Sequence, residues 1–212
     1  MGRLAHMSTA AVNHRATDSP RGWEADAANL SKPQLVRLRD GSNVTVRRAG
    51  PRDEAALRSF LSGLCLEAKR LRFFTGAADM NYAARLGVAA DAAHYGLVAH
   101  DEAGVLVGHV TYVKLNETHA EVAVEVADHL HGHGLGTLLV EMLAAAAEQR
   151  GITHFGAEVL CENHEMLNVF RDGFEARVLR REGTEQQVEF LTSGWRLVRE
   201  RFAQPKNNAA VS

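Results

Sequence analysis

The sequence has few of the features that mark secreted, membrane-spanning or disulfide-bonded proteins. Its 212 residues include two cysteines and four prolines, and aromatic residues make up only 6%. The two cysteines, Cys65 and Cys161, do not make a disulfide framework, and the N-terminal segment lacks the apolar stretch of a secretory signal. The longest apolar run, Leu138 to Ala147, is too short to cross a membrane and contains Glu141. We therefore predict a cytoplasmic protein without membrane association.

The charge of the chain argues against nucleic acid as a partner. The formal net charge is -2 at pH 7, and we find neither a basic helix nor a ladder of aromatic residues. Lys and Arg dominate Lys32 to Arg72, whereas acids dominate Asp101 to Asp128. Two solvated faces are the ordinary explanation of this unevenness. A basic side for an anionic cofactor and an acidic side for a cationic substrate are the alternative.

Periodicity predicts a single domain between two unstructured ends. Residues 1–31 show no period and form a predicted disordered arm, in which residues 1–6 could be a remnant of cloning. Residues 32–203 form the predicted domain, and residues 204–212 a flexible tail. No internal repeat and no linker divides the domain.

The order of the predicted elements indicates an α+β fold with a mixed sheet. Alternating residues flank Asp40-Gly41 and predict a hairpin there. Helices are predicted at Pro51 to Leu64, Ala77 to Leu86, Gly134 to Arg150, Asn163 to Arg171 and Gly194 to Ala203. Further strands are predicted at 94–100, 104–115, 119–128, 152–161, 175–181 and 185–192.

The turn Gly132-His133-Gly134-Leu135-Gly136 connects a predicted strand to a predicted helix. Glycines let the backbone approach a ligand closely, and the N-terminus of a helix attracts anions, so this turn favours a phosphate group. The dinucleotide-binding fingerprint fails, because Leu139 stands where a third glycine is required, and the P-loop fails because no Lys follows. NAD and ATP are therefore not the expected ligands.

Three histidines alternate through this turn, at His129, His131 and His133, and a metal site is the alternative to a phosphate. Structural zinc usually requires four ligands of compatible spacing. Neither cysteine is near the turn in sequence, so we expect no metal.

Residues 121–174, EVAVEVADHLHGHGLGTLLVEMLAAAAEQRGITHFGAEVLCENHEMLNVFRDGF, resemble the core of the GNAT N-acetyltransferases. The upstream segments LRDGSNVTVRRAGPRDEAALRSFLSGL and RLRFF resemble the bacterial protein lysine acetyltransferases of that family. The resemblance covers about Gln34 to Thr192. It implies the GNAT fold, a mixed and mostly antiparallel sheet whose central parallel strands splay apart and are flanked by helices.

The resemblance also implies acetyl-CoA as co-substrate. Val126, Ala127 and Asp128 would bond the pantetheine arm like an added strand, and the Val126 N–H would polarise the thioester carbonyl. Asn163 would bond the same arm, and Phe170 would pack beside it. The residues expected around the pyrophosphate are those of the turn and the start of the helix, His131, Gly132, His133, Gly134, Leu135, Gly136 and Thr137.

Catalysis requires a base, because a lysine-like amine has a pKa near 10.4 and must lose a proton before it attacks. The resemblance indicates Glu121 as this base. Glu125 is the second candidate, about 13 Å farther along the strand, and is also assigned to the acceptor side. Arg72, Phe73 and Phe74 lie where the subgroup forms that side. The alternative is that Phe73 and Phe74 belong to the core and that Arg72 is solvated.

The chain departs from the family pattern in two places. His131 stands where Gln or Arg is usual, and His133 stands where a second Arg is frequent. We therefore expect weaker and more pH-sensitive CoA binding, with histidines as the substitute donors. Phe170 stands where many relatives have a Tyr that protonates the leaving thiolate. The predicted function is acetyl transfer to a primary amine by a monomer or homodimer. The resemblance favours a lysine side chain of a protein as the acceptor. A small-amine acetyltransferase, a non-catalytic CoA-binding module and a histidine-rich metal regulator are the alternatives.

Overall fold

The alternating segments of the sequence form strands, and the apolar and amphipathic segments form helices. A computed structural model describes residues 30, 32–74, 78–194 and 196. Within these residues the strands are β1 (Gln34–Arg37), β2 (Asn43–Arg48), β3 (His94–His100), β4 (Leu106–Lys114), β5 (His119–Val126), β6 (His154–Leu160), β7 (Arg177–Glu182) and β8 (Glu185–Leu191). The helices are α1 (Glu54–Gly63), α2 (Leu66–Phe73), α3 (Met80–Gly87), α4 (Leu135–Glu148) and α5 (His164–Phe174).

The strands form one mixed sheet in the order β1-β2-β3-β4-β5-β6-β8-β7. All neighbours are antiparallel except β5 and β6, which are parallel. Their pairing covers only residues 119–121 against 154–156 and ends at Glu121 opposite Gly156. Beyond this point the two strands separate, which confirms the predicted splay in the centre of the sheet.

Each face of the sheet is covered by its own helices. The face with Val122, Val124 and Val126 packs on α4 in the larger buried cluster. Nearly every residue from Leu135 to Ala147 is buried, which accounts for a helix that is apolar on all sides. The opposite face carries α1, α2 and α3 over a smaller cluster that includes Leu57. No helix among the described residues has the length and apolar character needed to span a membrane.

Three details differ from the sequence prediction or lie beyond it. The helix α2 was not predicted as a separate element, because its segment LEAKRLRF is short and rich in charge. The next helix begins at Met80 rather than Ala77, since the Asp79 carboxylate accepts the backbone N–H of Asn81 and Tyr82 as an N-cap. Leu30, assigned to the disordered arm, is buried in the larger cluster. The rest of that arm, the C-terminal tail and nearly all of the predicted helix 194–203 lie outside the described residues.

Candidate active site

The splay leaves backbone groups of β5 without a neighbouring strand. The Ala127 N–H donates to the Val107 carbonyl at 2.8 Å. Because successive residues of a strand direct their backbone groups to opposite edges, those of Val126 point away from β4 and into the gap beside β6. An extended amide ligand can therefore pair with β5 there as one more strand would.

The glycine turn leads from this gap into the N-terminus of α4. Gly132 and Gly134 have φ angles of 78° and 86°, a left-handed conformation that glycine adopts without strain. No side chain caps α4 at Gly134, so the N–H groups of its first turn remain available to an anion. The Thr137 hydroxyl is buried and has no hydrogen-bond partner among the described residues. Free N–H groups and an unpartnered hydroxyl fit the pyrophosphate of CoA.

Two of the three histidines of the turn lie close to acceptors within the protein. The His131 Nε2 lies 3.1 Å from the Val126 carbonyl oxygen, to which it donates. The His133 Nδ1 lies 2.9 Å from a carboxylate oxygen of Asp40, whereas His129 is exposed. Among the described residues no three His, Cys, Asp or Glu side chains are grouped as a metal site. The expected role of His131 and His133 as phosphate donors stays a prediction that requires their rings to turn.

Asp128 connects the cofactor side to α2. Its Oδ2 accepts the backbone N–H of Cys65 at 3.1 Å, and Cys65 is the N-cap residue of α2. The end of β5 and the helix on the predicted acceptor side are therefore held together.

Glu121 lies at the last paired position of the parallel ladder. It is half-buried, and strand alternation directs its side chain away from α4, toward the face that carries α1, α2 and α3. Its neighbour across the ladder is Gly156, which has no side chain to fill the space beside the carboxylate. The register places Glu158 and Glu189 on the same face. Arg177 lies opposite Glu189 on that face and offsets part of its negative charge.

Glu125 is not solvent-exposed, contrary to the ordinary expectation for an acid on this strand. Its side chain is 0% exposed and forms an ion pair with Arg72 of α2. The other carboxylate oxygen lies 2.7 Å from the His109 Nδ1, and the His109 Nε2 lies 3.0 Å from the carbonyl of Gly87 in α3. Burial raises the pKa of Glu125, but the charges of Arg72 and His109 outweigh it and hold the pKa at about 2. We call Arg72, Glu125 and His109 the buried triad.

The other predicted acceptor-side residues are divided between core and surface. Phe73 is buried and its ring lies under the Arg72 guanidinium, 4.7 Å from the ring centroid. Phe74 is half-buried and ends α2 in a left-handed conformation with φ 56°. Since Arg72 itself is only 4% exposed, direct contact of Arg72 or Glu125 with an acceptor stays a prediction that requires the triad to open.

Asn163 and Phe170 both have structural roles in α5. The Asn163 Oδ1 accepts the Met166 N–H at 3.1 Å as the N-cap of the helix. Phe170 is 0% exposed and stacks on Phe190 with 4.8 Å between ring centroids. Contact of either residue with pantetheine stays a prediction, and for Phe170 it requires a shift of α5.

Replacing Asn163 separates capping from cofactor binding. We expect Asn163→Ala to lower the free energy of unfolding by about 1 kcal/mol, because α5 loses its N-cap. Asn163→Ser, which keeps a capping oxygen, should recover most of this loss in urea unfolding. If both variants bind acetyl-CoA as tightly as the unchanged protein, Asn163 is a cap only.

Sequence reasoning overlooked two residues that lie in or beside the site. His109 was not assigned to the site, although it lies directly opposite Glu125 in the β4–β5 pair. A tight turn between the predicted strands 104–115 and 119–128 places these two positions opposite each other. Arg39 was not singled out at all, and its approach to Gly134 depends on tertiary packing that no local pattern reveals.

Comparison with known proteins agrees with this geometry. The sequence model described as the acetyltransferase (GNAT) family matches residues 66–174. The structure is similar to the GNAT domain of S. lividans PAT, with 30% identity, a TM-score of 0.67, and coverage of 82% of this chain and 99% of that one. A comparison with curated proteins gives no match.

Two further solved structures share the fold. A cAMP-binding acyltransferase from Mycobacterium smegmatis has 23% identity and a TM-score of 0.55 over 84% of this chain and 52% of that one. A spermidine N-acetyltransferase from Vibrio cholerae, solved with CoA and spermine, has 17% identity and a TM-score of 0.56 over 72% of this chain and 97% of that one.

Proposed function

Because the chain belongs to the GNAT acetyltransferase family, we propose that it transfers the acetyl group of acetyl-CoA to a lysine side chain of a protein. The reaction is a direct attack of the amine within a ternary complex, with Glu121 as the general base. The observation that carries this assignment is the position of Glu121, at the point where β5 and β6 begin to separate.

The carboxylate of Glu121 is suited to remove the proton of an amine. An alkylammonium acceptor with a pKa near 10.4 carries almost no free amine at neutral pH, so a base must take its proton directly or through a water molecule. Gly156 leaves space beside this carboxylate. An amine that enters from the α1–α3 face can therefore reach both Glu121 and the gap.

The residues on the opposite side of the gap bind and orient the acyl donor. When bound, acetyl-CoA supplies an acyl group already activated as a thioester. The Val126 N–H is directed into the gap and can donate to the thioester carbonyl, which stabilises negative charge on that oxygen during attack. The glycine turn and Thr137 hold the phosphate end, which fixes the distance of the acyl group from Glu121.

The acceptor is expected to be cationic. Glu121, Glu158 and Glu189 share the acceptor face by strand register, and a face of this sign attracts a cationic substrate. The resemblance of the upstream segments to bacterial protein lysine acetyltransferases favours lysine. The same charge suits a polyamine, so a small-amine acetyltransferase is the second candidate.

Calorimetric titration of untagged, metal-stripped protein with acetyl-CoA tests the first step. We expect micromolar binding with one molecule per chain at neutral pH. Transfer to a lysine-containing peptide and to spermidine would then be compared by kcat/KM. A higher value for the peptide supports the proposal, a higher value for spermidine supports the second candidate, and absence of acetyl-CoA binding contradicts both.

A further inference from the structure

The turn between β1 and β2 lies directly beside the glycine turn. The Arg39 N–H donates to the His133 carbonyl at 3.4 Å, and Leu38 and Leu130 belong to the same buried cluster. A Cβ placed on Gly134 would lie 3.1 Å from the Arg39 Nε and 3.5 Å from its Cζ. The guanidinium of Arg39 therefore lies over the residue that immediately precedes α4.

Among the residues that the structure describes, no acid pairs with the guanidinium of Arg39. Arg39 is exposed, and no hydrogen bond or ion pair of its guanidinium occurs within the described part of the chain. By contrast, Arg47 pairs with Asp53, Arg70 with Glu67 and Glu162, and Arg72 with Glu125. Arg39 is therefore available to an anion at the N-terminus of α4.

The adjacent acid, Asp40, is engaged elsewhere. Its Oδ1 accepts the Ser42 N–H at 3.0 Å and the Ser42 hydroxyl at 2.6 Å, while its Oδ2 lies 2.9 Å from His133. Hydrogen bonds from Ser42, with a smaller effect of His133, hold the pKa of Asp40 below its usual value. The His133 Nδ1 faces Asp40 and the His131 Nε2 faces the Val126 carbonyl, so each ring already has one nitrogen turned toward an acceptor of the protein. The guanidinium of Arg39 has no such acceptor among the described residues and is the strongest donor beside the turn.

We propose that Arg39, which belongs to the β1–β2 hairpin and not to the glycine turn, donates to a phosphate group of CoA bound at the N-terminus of α4. A guanidinium matches phosphate oxygens in geometry and charge. CoA offers this chemistry twice, at its pyrophosphate and at its ribose 3′-phosphate. This role of Arg39 depends on the acetyl-CoA binding proposed above.

The test compares Arg39→Gln with Arg37→Gln in calorimetric titrations of CoA, 3′-dephospho-CoA and phosphate-free pantetheine. Arg37 is the matched control, because it is exposed on the same hairpin but its guanidinium lies over Gly41 and not over Gly134. We expect Arg39→Gln to weaken CoA binding roughly tenfold to a hundredfold, whereas Arg37→Gln leaves it within about twofold. Thermal melting of each variant checks that the hairpin is still folded.

The ligand series identifies the phosphate group and separates the two proposals. An equal loss for CoA and 3′-dephospho-CoA assigns Arg39 to the pyrophosphate, and a loss for CoA alone assigns it to the 3′-phosphate. An unchanged affinity of Arg39→Gln for CoA, or an equal weakening for pantetheine, would overturn the role of Arg39. If the unchanged protein fails to bind CoA, the proposed acetyltransferase function fails first.

Discussion

Glu121→Gln is expected to lower kcat/KM for the amine acceptor by roughly a hundredfold to ten-thousandfold. Glutamine has nearly the same shape as glutamate but cannot accept the proton of an ammonium group. The acetyl-CoA affinity should stay within about twofold, because the phosphate cradle lies at the other end of the splay. Steady-state rates with a lysine peptide and calorimetry with acetyl-CoA measure the two effects separately.

The control for this experiment is Glu117→Gln. Glu117 precedes the same strand in the β4–β5 turn, and its side chain is 97% exposed, so removing its charge should change kcat/KM by less than about twofold.

The transfer rate of Glu121→Gln should rise as the pH approaches the pKa of the acceptor amine, because a larger fraction of the amine is then already deprotonated. A full rate with Glu121→Gln at neutral pH would exclude Glu121 as the base. Absence of transfer by the unchanged protein, despite acetyl-CoA binding, would favour a non-catalytic CoA-binding module.

Local patterns predicted the strands and helices of the sheet well, because each depends on nearby residues. Alternation predicted β5, and the glycine turn predicted the start of α4 to within one residue. The family resemblance predicted the splay, which local pattern alone does not. Local pattern did not predict α2, because its segment is rich in charge and its helix is held by tertiary contacts such as that of Arg72 with Glu125.

The candidate site was predictable where it consists of backbone and not where it consists of paired side chains. Glycines at 132 and 134 indicate exposed N–H groups directly. The burial of Glu125 depended on which residue of α2 packs against β5 and on its pairing with His109 of β4, and strand alternation gives only the face. The same holds for Arg39, whose position follows from the packing of the β1–β2 hairpin beside the glycine turn.

Removing the guanidinium of the buried triad while its carboxylate remains should strongly destabilise the protein. Arg72→Met leaves the Glu125 carboxylate buried beside His109 without its guanidinium, and we expect the free energy of unfolding to fall by about 3–5 kcal/mol. Urea unfolding monitored by circular dichroism measures this change. Arg70→Met, two residues away on α2, is the control, because the Arg70 side chain is 39% exposed and a surface ion pair adds little to stability.

The triad also predicts how stability depends on pH. In the folded protein the pKa of Glu125 is lowered from 4.5 to about 2, so the folded state binds this proton less readily than the unfolded state does. The resulting stability is present above about pH 4.5 and is lost as the pH falls toward 2. Because other carboxylates also titrate in this range, the measured quantity is the difference in unfolding free energy between the unchanged protein and Glu125→Gln. That difference should shrink as the pH falls, and a constant difference would contradict a charged Glu125.

A double variant separates the strength of the ion pair from the cost of leaving one charge alone. Arg72→Met combined with Glu125→Leu removes both charges and fills part of the space with apolar atoms, leaving His109 to keep its contact with the Gly87 carbonyl. Apolar replacement of a buried ion pair is often neutral or stabilising, so we expect the double variant to be more stable than either Arg72→Met or Glu125→Leu alone. If the losses simply add, Arg72 and Glu125 act independently and the contact between α2 and β5 does not depend on their pairing. A stable double variant that keeps its acetyl-CoA affinity but has a raised KM for the amine would show that the triad positions α2 on the acceptor side.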